Sequence, residues 1–169
     1  MASLLGFPNP VNETSARVVA GGVVTMATAA VVLDRPAVLL PLTYGFAARV
    51  LTGPKLSPLG QLATRVVTPQ IHSRVKRAPA FSPGPPKRLA QGMGLAMSGT
   101  ALTLHYGFGR KKAAYTVLGA LITAAGLEAF LGICLACKMF PALVKLGVVP
   151  ESACVDCADV WSRDASRRA

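Results

Sequence analysis

The sequence is poor in charged residues, in acids above all, and in aromatic residues, and each shortage excludes a class of protein. Charged side chains make up 15% of the 169 residues, whereas soluble domains carry about 25%. Seven acids stand against 18 Lys and Arg, so the net charge is +11. The aromatic residues are six Phe, three Tyr and one Trp, and they form no RNA- or DNA-binding motif with the basic residues. These shortages exclude an ordinary soluble domain and a nucleic-acid-binding protein.

The chain is instead rich in long apolar segments. Hydrophobic residues make up 52% of the chain, and the mean hydropathy is +0.48. Apolar segments of about 20 residues are typical of membrane-spanning helices. The pattern predicts four spans, at residues 18–33, 36–52, 89–108 and 113–137. The predicted fold class is therefore an all-α, four-span transmembrane helical bundle that occupies residues 18–137.

The segments outside the spans predict an N-terminal arm at residues 1–17, a loop at 53–88 and a C-terminal tail at 138–169. Within the loop, Ser57 suits the N-cap of a helix and Pro58 its first position. A short amphipathic helix is therefore expected over residues 57–68, which Pro69 ends. Its apolar face can lie in the membrane interface or pack on the bundle, and the sequence leaves both arrangements open.

The basic residues predict how the bundle is oriented. Four spans place the N-terminus, the loop and the C-terminal tail on one side, and that side carries 14 of the 18 Lys and Arg. Cytoplasmic loops are enriched in Lys and Arg, which also interact with anionic head groups. We therefore expect a multi-pass protein of a bacterial plasma membrane, with both termini cytoplasmic and the lipid bilayer as a partner. Asp34 and Gly109 are expected on the external side.

The four cysteines form two C-x2-C pairs separated by 16 residues: Cys134, Cys137, Cys154 and Cys157. This spacing is typical of sites that bind Zn2+, or iron, through four thiolates. Alternatively, the pairs cycle between dithiol and disulfide with a thioredoxin-like partner. A third interpretation treats the first pair as small apolar residues at the end of the fourth span. The cytoplasmic location argues against a structural disulfide, but the spacing does not decide among the three.

Glu128 is the acid that falls within a predicted span. An unpaired charge is costly inside a membrane, and intramembrane acids usually have a partner or a functional role. Counted along the spans at 1.5 Å per residue, Arg49 lies at a similar depth. The sequence therefore predicts an ion pair between Glu128 and Arg49, with a proton or ion pathway through Glu128 as the alternative. His105 is expected near the outer interface, too far from Glu128 to pair with it.

Three motifs resemble those of an uncharacterised bacterial integral-membrane family that is classed as a domain of unknown function. The motifs are Ser57-Pro58-Leu59, the Pro-Gly-Pro-Pro-Lys-Arg-Leu-Ala-Gln segment at 83–91, and Cys134-Leu135-Ala136-Cys137 with the second pair behind it. The resemblance covers about residues 17–157. Members of that family are often encoded beside thioredoxin-like and sulfurtransferase proteins, which implies a thiol or sulfur context. The family implies no established activity.

Three functions are consistent with these features. The first is a thiol-redox or sulfur-relay module that works with a thioredoxin-like or sulfurtransferase protein. The second is a non-enzymatic subunit of a larger membrane complex, in which the four cysteines hold a structural zinc or iron ion. The third is a small transporter that uses Glu128. The sequence does not decide whether the protein is an enzyme.

Overall fold

A computed structural model describes residues 11–75 and 80–147 of the chain, and this part is mainly helical. The elements in chain order are β1 (Val11–Asn12), α1 (Glu13–Val32), α2 (Leu39–Thr52), α3 (Pro58–Leu62), α4 (Thr68–Val75), β2 (Phe81–Ser82), α5 (Gly84–Leu102), α6 (Lys111–Gly126) and α7 (Leu135–Lys145). A 3-10 turn precedes α2, at Pro36–Val38. Three π turns join α3 to α4 and extend α5 and α6, at Ala63–Val67, Thr103–Gly107 and Leu127–Leu131. The predicted all-α class is confirmed.

Helix α1 begins at Glu13, earlier than the predicted start at residue 18. Asn12 is its N-cap, and the Asn12 side chain accepts hydrogen bonds from the backbone N–H groups of Thr14 and Ser15. Asn12 also pairs with Phe81 in the two-stranded sheet that β1 and β2 form. The N-cap satisfies the first free N–H groups of the helix. The polar residues that the sequence assigns to an arm therefore form the first turn of α1.

Small and branched side chains form the core between α1, α2, α5 and α6. Its buried members are Val23, Ala27, Ala30, Leu39, Leu42, Phe46, Ala101, Ala114, Leu118 and Leu121. Glycine permits close approach where α2 meets α5, since a Cβ atom at Gly94 would lie 2.1 Å from the ring of Phe46. Small residues at helical spacing let helices pack closely in this way.

Two helices of the described chain, Glu13–Val32 and Lys111–Leu131, are long and apolar enough to cross a membrane. The helical segment Pro36–Thr52 is apolar but shorter. Helix α5 is long enough, but Lys87, Arg88 and Gln91 lower its hydropathy. The structure thus supports two of the four predicted spans by length and composition.

The predicted amphipathic helix at 57–68 is longer than expected and packs against α1. Ser57 is its N-cap, as predicted, and accepts a hydrogen bond from the backbone N–H of Gly60. The helix continues past Pro69 to Val75, because a π turn ends just before the proline and shifts the hydrogen-bond ladder there. Ser57 and Ala63 are fully buried, while Leu62 and Val66 on the outer face are exposed. Of the two arrangements that the sequence allows, packing on the bundle is the one observed.

The sequence predicts a fourth span that runs to residue 137, whereas the helix ends at Leu131. Gly132 follows in the left-handed conformation, with φ of 70°. The N–H groups of Gly132 and Ile133 donate to the carbonyls of Glu128 and Leu127. A glycine in this conformation commonly ends a helix, because it has no Cβ to clash. The chain then turns into a separate helix, α7, and the first cysteine pair lies at its start.

Candidate functional site

Cys134 is the N-cap of α7, and Cys137 lies one turn further along that helix. The Cys134 Sγ accepts a hydrogen bond from the backbone N–H of Cys137, with an N–S distance of 3.3 Å. Free N–H groups and the helix dipole make the N-terminus of a helix favourable for negative charge. The sequence predicts the opposite, since it places the pair at the C-terminus of a span. That prediction is wrong because Gly132 ends the preceding helix.

The two thiols differ in acidity, and both lie beyond the helix that ends at Leu131. A hydrogen bond from the Cys137 thiol, more than any other effect, lowers the pKa of Cys134 from 9.0 to about 7. Burial and the negative charge of Glu128 oppose this shift, while the positive charge of Lys87 supports it. The same hydrogen bond raises the pKa of Cys137. Cys134 is therefore the thiol of the pair that ionises first, and its thiolate is the form that acts as a nucleophile.

Glu128 lies against Lys87, and the predicted pair between Glu128 and Arg49 does not form. The Lys87 Nζ is 2.6 Å from the Glu128 Oε1, and both side chains are largely buried. Glu128 lies in the π turn that ends at Leu131, so it is near the end of its helix and not at mid-depth. Lys87 lies in the first turn of α5, because that helix begins at Gly84, before the predicted span at residue 89.

Arg49 forms hydrogen bonds with neutral groups only. Its Nε donates to the Gln91 Oε1 at 2.7 Å, and its Nη1 donates to the Ser57 Oγ at 3.1 Å. The guanidinium also lies 4.6 Å from the centre of the Phe46 ring. Its Nη2 has no hydrogen-bond partner among the described residues, although Arg49 is only 4% exposed. Arg49 is therefore a buried cation with no acidic partner in the described ranges.

Arg17 holds the end of the helix that precedes the cysteines. Its Nε donates to the carbonyl of Ala129, and its Nη2 donates to the carbonyl of Phe130 at 2.9 Å. The last carbonyls of a helix lack partners within the helix, and a cation there also interacts favourably with the dipole. Arg17 thus fixes the segment from which Gly132 leads to Cys134. The sequence assigns this arginine to the membrane interface and gives no signal for the contact.

Two small cavities lie beside these groups. The first, of about 80 Å³, has a mainly apolar lining that includes Cys134 and Glu128. The second, of about 160 Å³, is also lined mainly by apolar surface, and its lining includes Arg49 and Lys87. Gln91 contributes to the walls of both. The Lys87–Glu128 pair therefore lies between the two cavities, with the dithiol on one side and Arg49 on the other.

The structure brings together one of the two predicted cysteine pairs. Cys134 and Cys137 are free thiols, while Cys154 and Cys157 lie outside the described residues. Among residues 11–75 and 80–147, no group of three or more His, Cys, Asp or Glu side chains is placed to hold a metal ion. Two thiols alone do not complete a four-coordinate zinc site, so the four-cysteine zinc or iron site stays a prediction.

Sequence reasoning missed Lys87 and Gln91 as neighbours of the site. A signal for Lys87 was present, because prolines suit the first turn of a helix and Pro85-Pro86 precede the lysine directly. A helix start at this segment places Lys87 at the end of the bundle where Glu128 also lies. Gln91 follows one turn later on α5.

Comparison with known proteins gives one result, a match to a protein family. A profile described as Domain of unknown function (DUF4395) matches residues 11–145. The matched range includes Cys134 and Cys137 and excludes Cys154 and Cys157. Searches of the curated proteins and of the solved structures found no match. Because the match covers most of the chain, the protein belongs to the DUF4395 family, a domain of unknown function, as the three sequence motifs predict.

Proposed function

We propose that the protein is a thiol–disulfide exchange module of a membrane, which transfers electrons between its Cys134–Cys137 dithiol and a disulfide of a thioredoxin-like partner. The observation that carries the proposal is the position of the pair at the N-terminus of α7. A C-x2-C pair at a helix N-terminus, with a lowered pKa at one cysteine, is typical of thiol–disulfide oxidoreductases. The alternative interpretation as plain packing residues does not account for the hydrogen bond between the pair.

The reaction has two steps. The Cys134 thiolate attacks one sulfur of the partner disulfide, which forms a mixed disulfide and releases one partner thiolate. The Cys137 sulfur, after losing its proton, then attacks the Cys134 sulfur, which forms the Cys134–Cys137 disulfide and releases the second partner thiolate. Two electrons and two protons pass from the dithiol to the partner. The reverse sequence reduces the Cys134–Cys137 disulfide.

Access to Cys134 requires the first turn of α7 to move. Cys134 is 8% exposed, so a protein disulfide does not reach it in the closed arrangement. Leu135 in this turn and Met139 in the next are both exposed. Pro141 lies inside α7, and a proline there removes one backbone hydrogen bond and weakens the helix. The proposal therefore includes partial opening of α7 when the partner binds.

The membrane arrangement belongs to the same proposal. Contacts of Arg17 with Phe130 and of Asp34 with Lys111 join α1 to α6 at both ends, so these two apolar helices are antiparallel neighbours. We place α2 and α5 beside them as the remaining two of four spans. The end that bears the dithiol also carries Arg17, Arg49 and Lys87, and the positive-inside rule assigns that end to the cytoplasm. The opposite end carries Arg35, Arg110, Lys111 and Lys112, against 14 Lys and Arg on the dithiol side by the sequence count, and the charge of Lys111 is compensated by Asp34 at 2.5 Å.

Trapping of the mixed disulfide tests the proposed chemistry. In a background with Cys154→Ser and Cys157→Ser, the Cys137→Ser variant is treated with oxidised glutathione and analysed by mass spectrometry. We expect one glutathione adduct, on Cys134, because the second step is blocked. The parent with both cysteines should release both glutathione molecules and keep an internal disulfide. A Cys134→Ser variant is the matched control and should react much more slowly.

Metal analysis of the full chain, run beside the trapping experiment, tests the competing function. A redox pair must be free to react, so the proposal predicts no tightly bound metal. About one zinc or iron ion per chain, lost when any one of the four cysteines is changed to Ser, would reject redox exchange. It would instead favour a non-enzymatic membrane subunit with a structural metal.

A further inference from the structure

We infer that the cavity at Arg49 is a binding site for a small oxyanion, either a free inorganic ion such as phosphate or sulfate, or the phosphate of a lipid head group. The site lies between α1, α2, α3 and α5. It includes none of the cysteines, so it goes beyond the proposed redox function and does not depend on it.

The first observation is the uncompensated charge of Arg49. A guanidinium carries five N–H donors, and here the Nε and the Nη1 bond to neutral oxygens while the Nη2 has no partner among the described residues. The ion pairs of the described chain are Lys87–Glu128 and Lys111–Asp34, and neither includes Arg49. A buried charge without a counterion is costly. An anion bound in the cavity would supply both the missing charge and the missing acceptor.

The second observation is that open space lies beside this cation. The cavity measures about 160 Å³, whereas one water molecule requires only ~10–15 Å³ of such space. The lining is mainly apolar, and its polar residues are Arg49, Lys87, Gln91, Asn12, Ser15 and Thr64. The Ser15 hydroxyl already bonds to Thr68, and the Asn12 Oδ1 caps α1. The lining thus contains two cations, of which Lys87 is paired with Glu128, and no carboxylate of its own.

The number of donors in the cavity favours phosphate or sulfate over a halide or a carboxylate. The planar guanidinium can bond to two oxygens of a carboxylate, a phosphate or a sulfate alike. Lys87 offers a second cation on the same wall, and its Nζ has three N–H groups, of which the bond to Glu128 uses one. Phosphate and sulfate have enough oxygens to accept from both residues at once.

Gly45 shows how closely the guanidinium is fitted. A Cβ atom at Gly45 would lie 3.2 Å from the Arg49 Nη1, so a larger residue there would displace the group. The bonds to Gln91 and Ser57 fix the guanidinium from two further directions. A receptor group that is held in place before binding loses little freedom when the ligand arrives. The Arg49 guanidinium is therefore held in position before an anion binds and does not need to rearrange.

The test measures binding of inorganic phosphate and of sulfate to the purified full chain with all four cysteines changed to Ser. Serine is also a good N-cap, so Cys134→Ser keeps the start of α7, and the result is independent of the redox proposal. Binding is followed by equilibrium dialysis in lipid-free detergent and by the shift of the unfolding temperature, with chloride at equal ionic strength as reference. We expect saturable binding and stabilisation by at least one of the two oxyanions.

Variants of Arg49 establish the site. Arg49→Lys keeps the charge but loses the paired donors, and its dissociation constant should rise on the order of ten- to a hundred-fold. Arg49→Gln should abolish binding. Arg65→Gln is the matched control, because Arg65 is exposed and does not line the cavity, and it should bind as the parent does. If Arg49→Gln fails to fold, Arg49→Lys and Gly45→Ala still test the site, and both should bind more weakly.

A further experiment with defined lipids distinguishes a lipid head group from a free ion as the source of the oxyanion. The parent and Arg49→Lys are placed in nanodiscs of phosphatidylglycerol or of a glycolipid that carries no phosphate, and retained lipid is counted after extraction into detergent. Phosphatidylglycerol retained only by the parent, with no effect of free ions, assigns the oxyanion to a lipid head group. Saturable binding in lipid-free detergent assigns it to a free ion. Absence of both, or binding that Arg49→Gln leaves unchanged, overturns the inference.

Discussion

At Cys134, the chemistry of the thiol depends on the backbone two residues earlier. Gly132 turns the chain with a φ of 70°, and α7 therefore starts at the cysteine pair instead of ending there. The Cys134 Sγ meets the Cys137 N–H at 3.3 Å as a result. The free N–H groups at the start of a helix stabilise the negative charge of a thiolate in this position. The same residue at the end of a continuous span would be an unreactive packing residue.

The pH dependence of Cys134 alkylation is the first prediction. Only the thiolate reacts, so the rate of iodoacetamide labelling should rise with pH and reach half its maximum near pH 7, the pKa of Cys134 being about 7. In Cys137→Ser the midpoint should change, because the thiol hydrogen bond that contributes most to the lowered pKa is replaced. A midpoint near pH 9 for Cys134 in the parent would contradict the account.

The same shift has a consequence for stability. The pKa of Cys134 is lower in the folded chain than its ordinary value of 9.0. The sign follows from linkage: the stabilisation is fully present above the unfolded pKa and is lost as the pH falls through about 7. The Cys134→Ser variant lacks this titration and should show a flatter pH dependence of unfolding between these values.

The Lys87–Glu128 pair gives the second prediction, on the electrostatics of the thiol. The positive charge of Lys87 favours the Cys134 thiolate, and the negative charge of Glu128 disfavours it. Lys87→Met should therefore move the midpoint of Cys134 alkylation to higher pH, and Glu128→Gln should move it to lower pH. Lys112→Met, an exposed lysine at the far end of the bundle, is the control and should leave the midpoint in place. Shifts of the same sign in both variants would refute this assignment.

At this scale, the sequence predicted that Glu128 is paired but named the wrong partner, Arg49 instead of Lys87. Depth was counted along a span that runs to residue 137, and the real helix ends at Leu131. Glu128 is therefore closer to the dithiol end of the bundle than the count allowed, within reach of Lys87 at 2.6 Å. The partner depends on where two helices begin and end. Those boundaries are set by caps that composition alone does not locate.

At the scale of the elements, the residues at which helices begin and end determine where the site residues lie. Asn12, Ser57 and Cys134 are the N-caps of α1, α3 and α7, and Gly132 ends the helix before α7. The sequence predicted the Ser57 cap because Pro58 follows it. It did not predict the end at Gly132, because a glycine inside a long apolar segment also suits a membrane span. Helix existence was thus easier to predict than helix boundaries.

The third prediction tests the helix end at Gly132. Gly132→Ala places a side chain at a φ of +70°, which costs about 1–2 kcal/mol. The variant should unfold more readily in detergent and react more slowly with oxidised glutathione, since the start of α7 is displaced. Gly119→Ala is the matched control: it lies inside α6 with open space around the added Cβ. There the exchange should be neutral or stabilising by about 0.5–1 kcal/mol. Equal effects at both positions would contradict the role of Gly132.

At the scale of the whole molecule, charged and polar contacts are divided between two ends. Arg17, Arg49 and Lys87 lie at the dithiol end, whereas Asp34 accepts hydrogen bonds from Lys111 and Tyr115 at the other. The bond from Lys111, more than any other effect, lowers the pKa of the Asp34 carboxyl, so the loop at this end keeps a compensated pair at neutral pH. The apolar core lies between the two ends.

The fourth prediction concerns orientation in the membrane. In a background without the native cysteines, Arg110→Cys should react with an impermeant maleimide added to intact cells, because that residue is exposed at the end opposite the dithiol, which the proposal places outside. Leu56→Cys, exposed at the dithiol end, should react only after the membrane is opened. Labelling of position 56 alone in intact cells would reverse the orientation. The dithiol would then face the oxidising side, where structural disulfides form.

The redox equilibrium of the cysteine pair tests the central claim most directly. The chain with Cys154→Ser and Cys157→Ser is equilibrated in detergent with graded ratios of reduced to oxidised glutathione, then alkylated and weighed by mass spectrometry. The account predicts a single two-electron transition, in which Cys134 and Cys137 become protected together as one internal disulfide. The transition should vanish in Cys137→Ser, where a glutathione adduct takes its place. Two thiols that remain alkylated at every ratio, or that take up glutathione independently, would contradict the assignment of this protein to thiol–disulfide exchange.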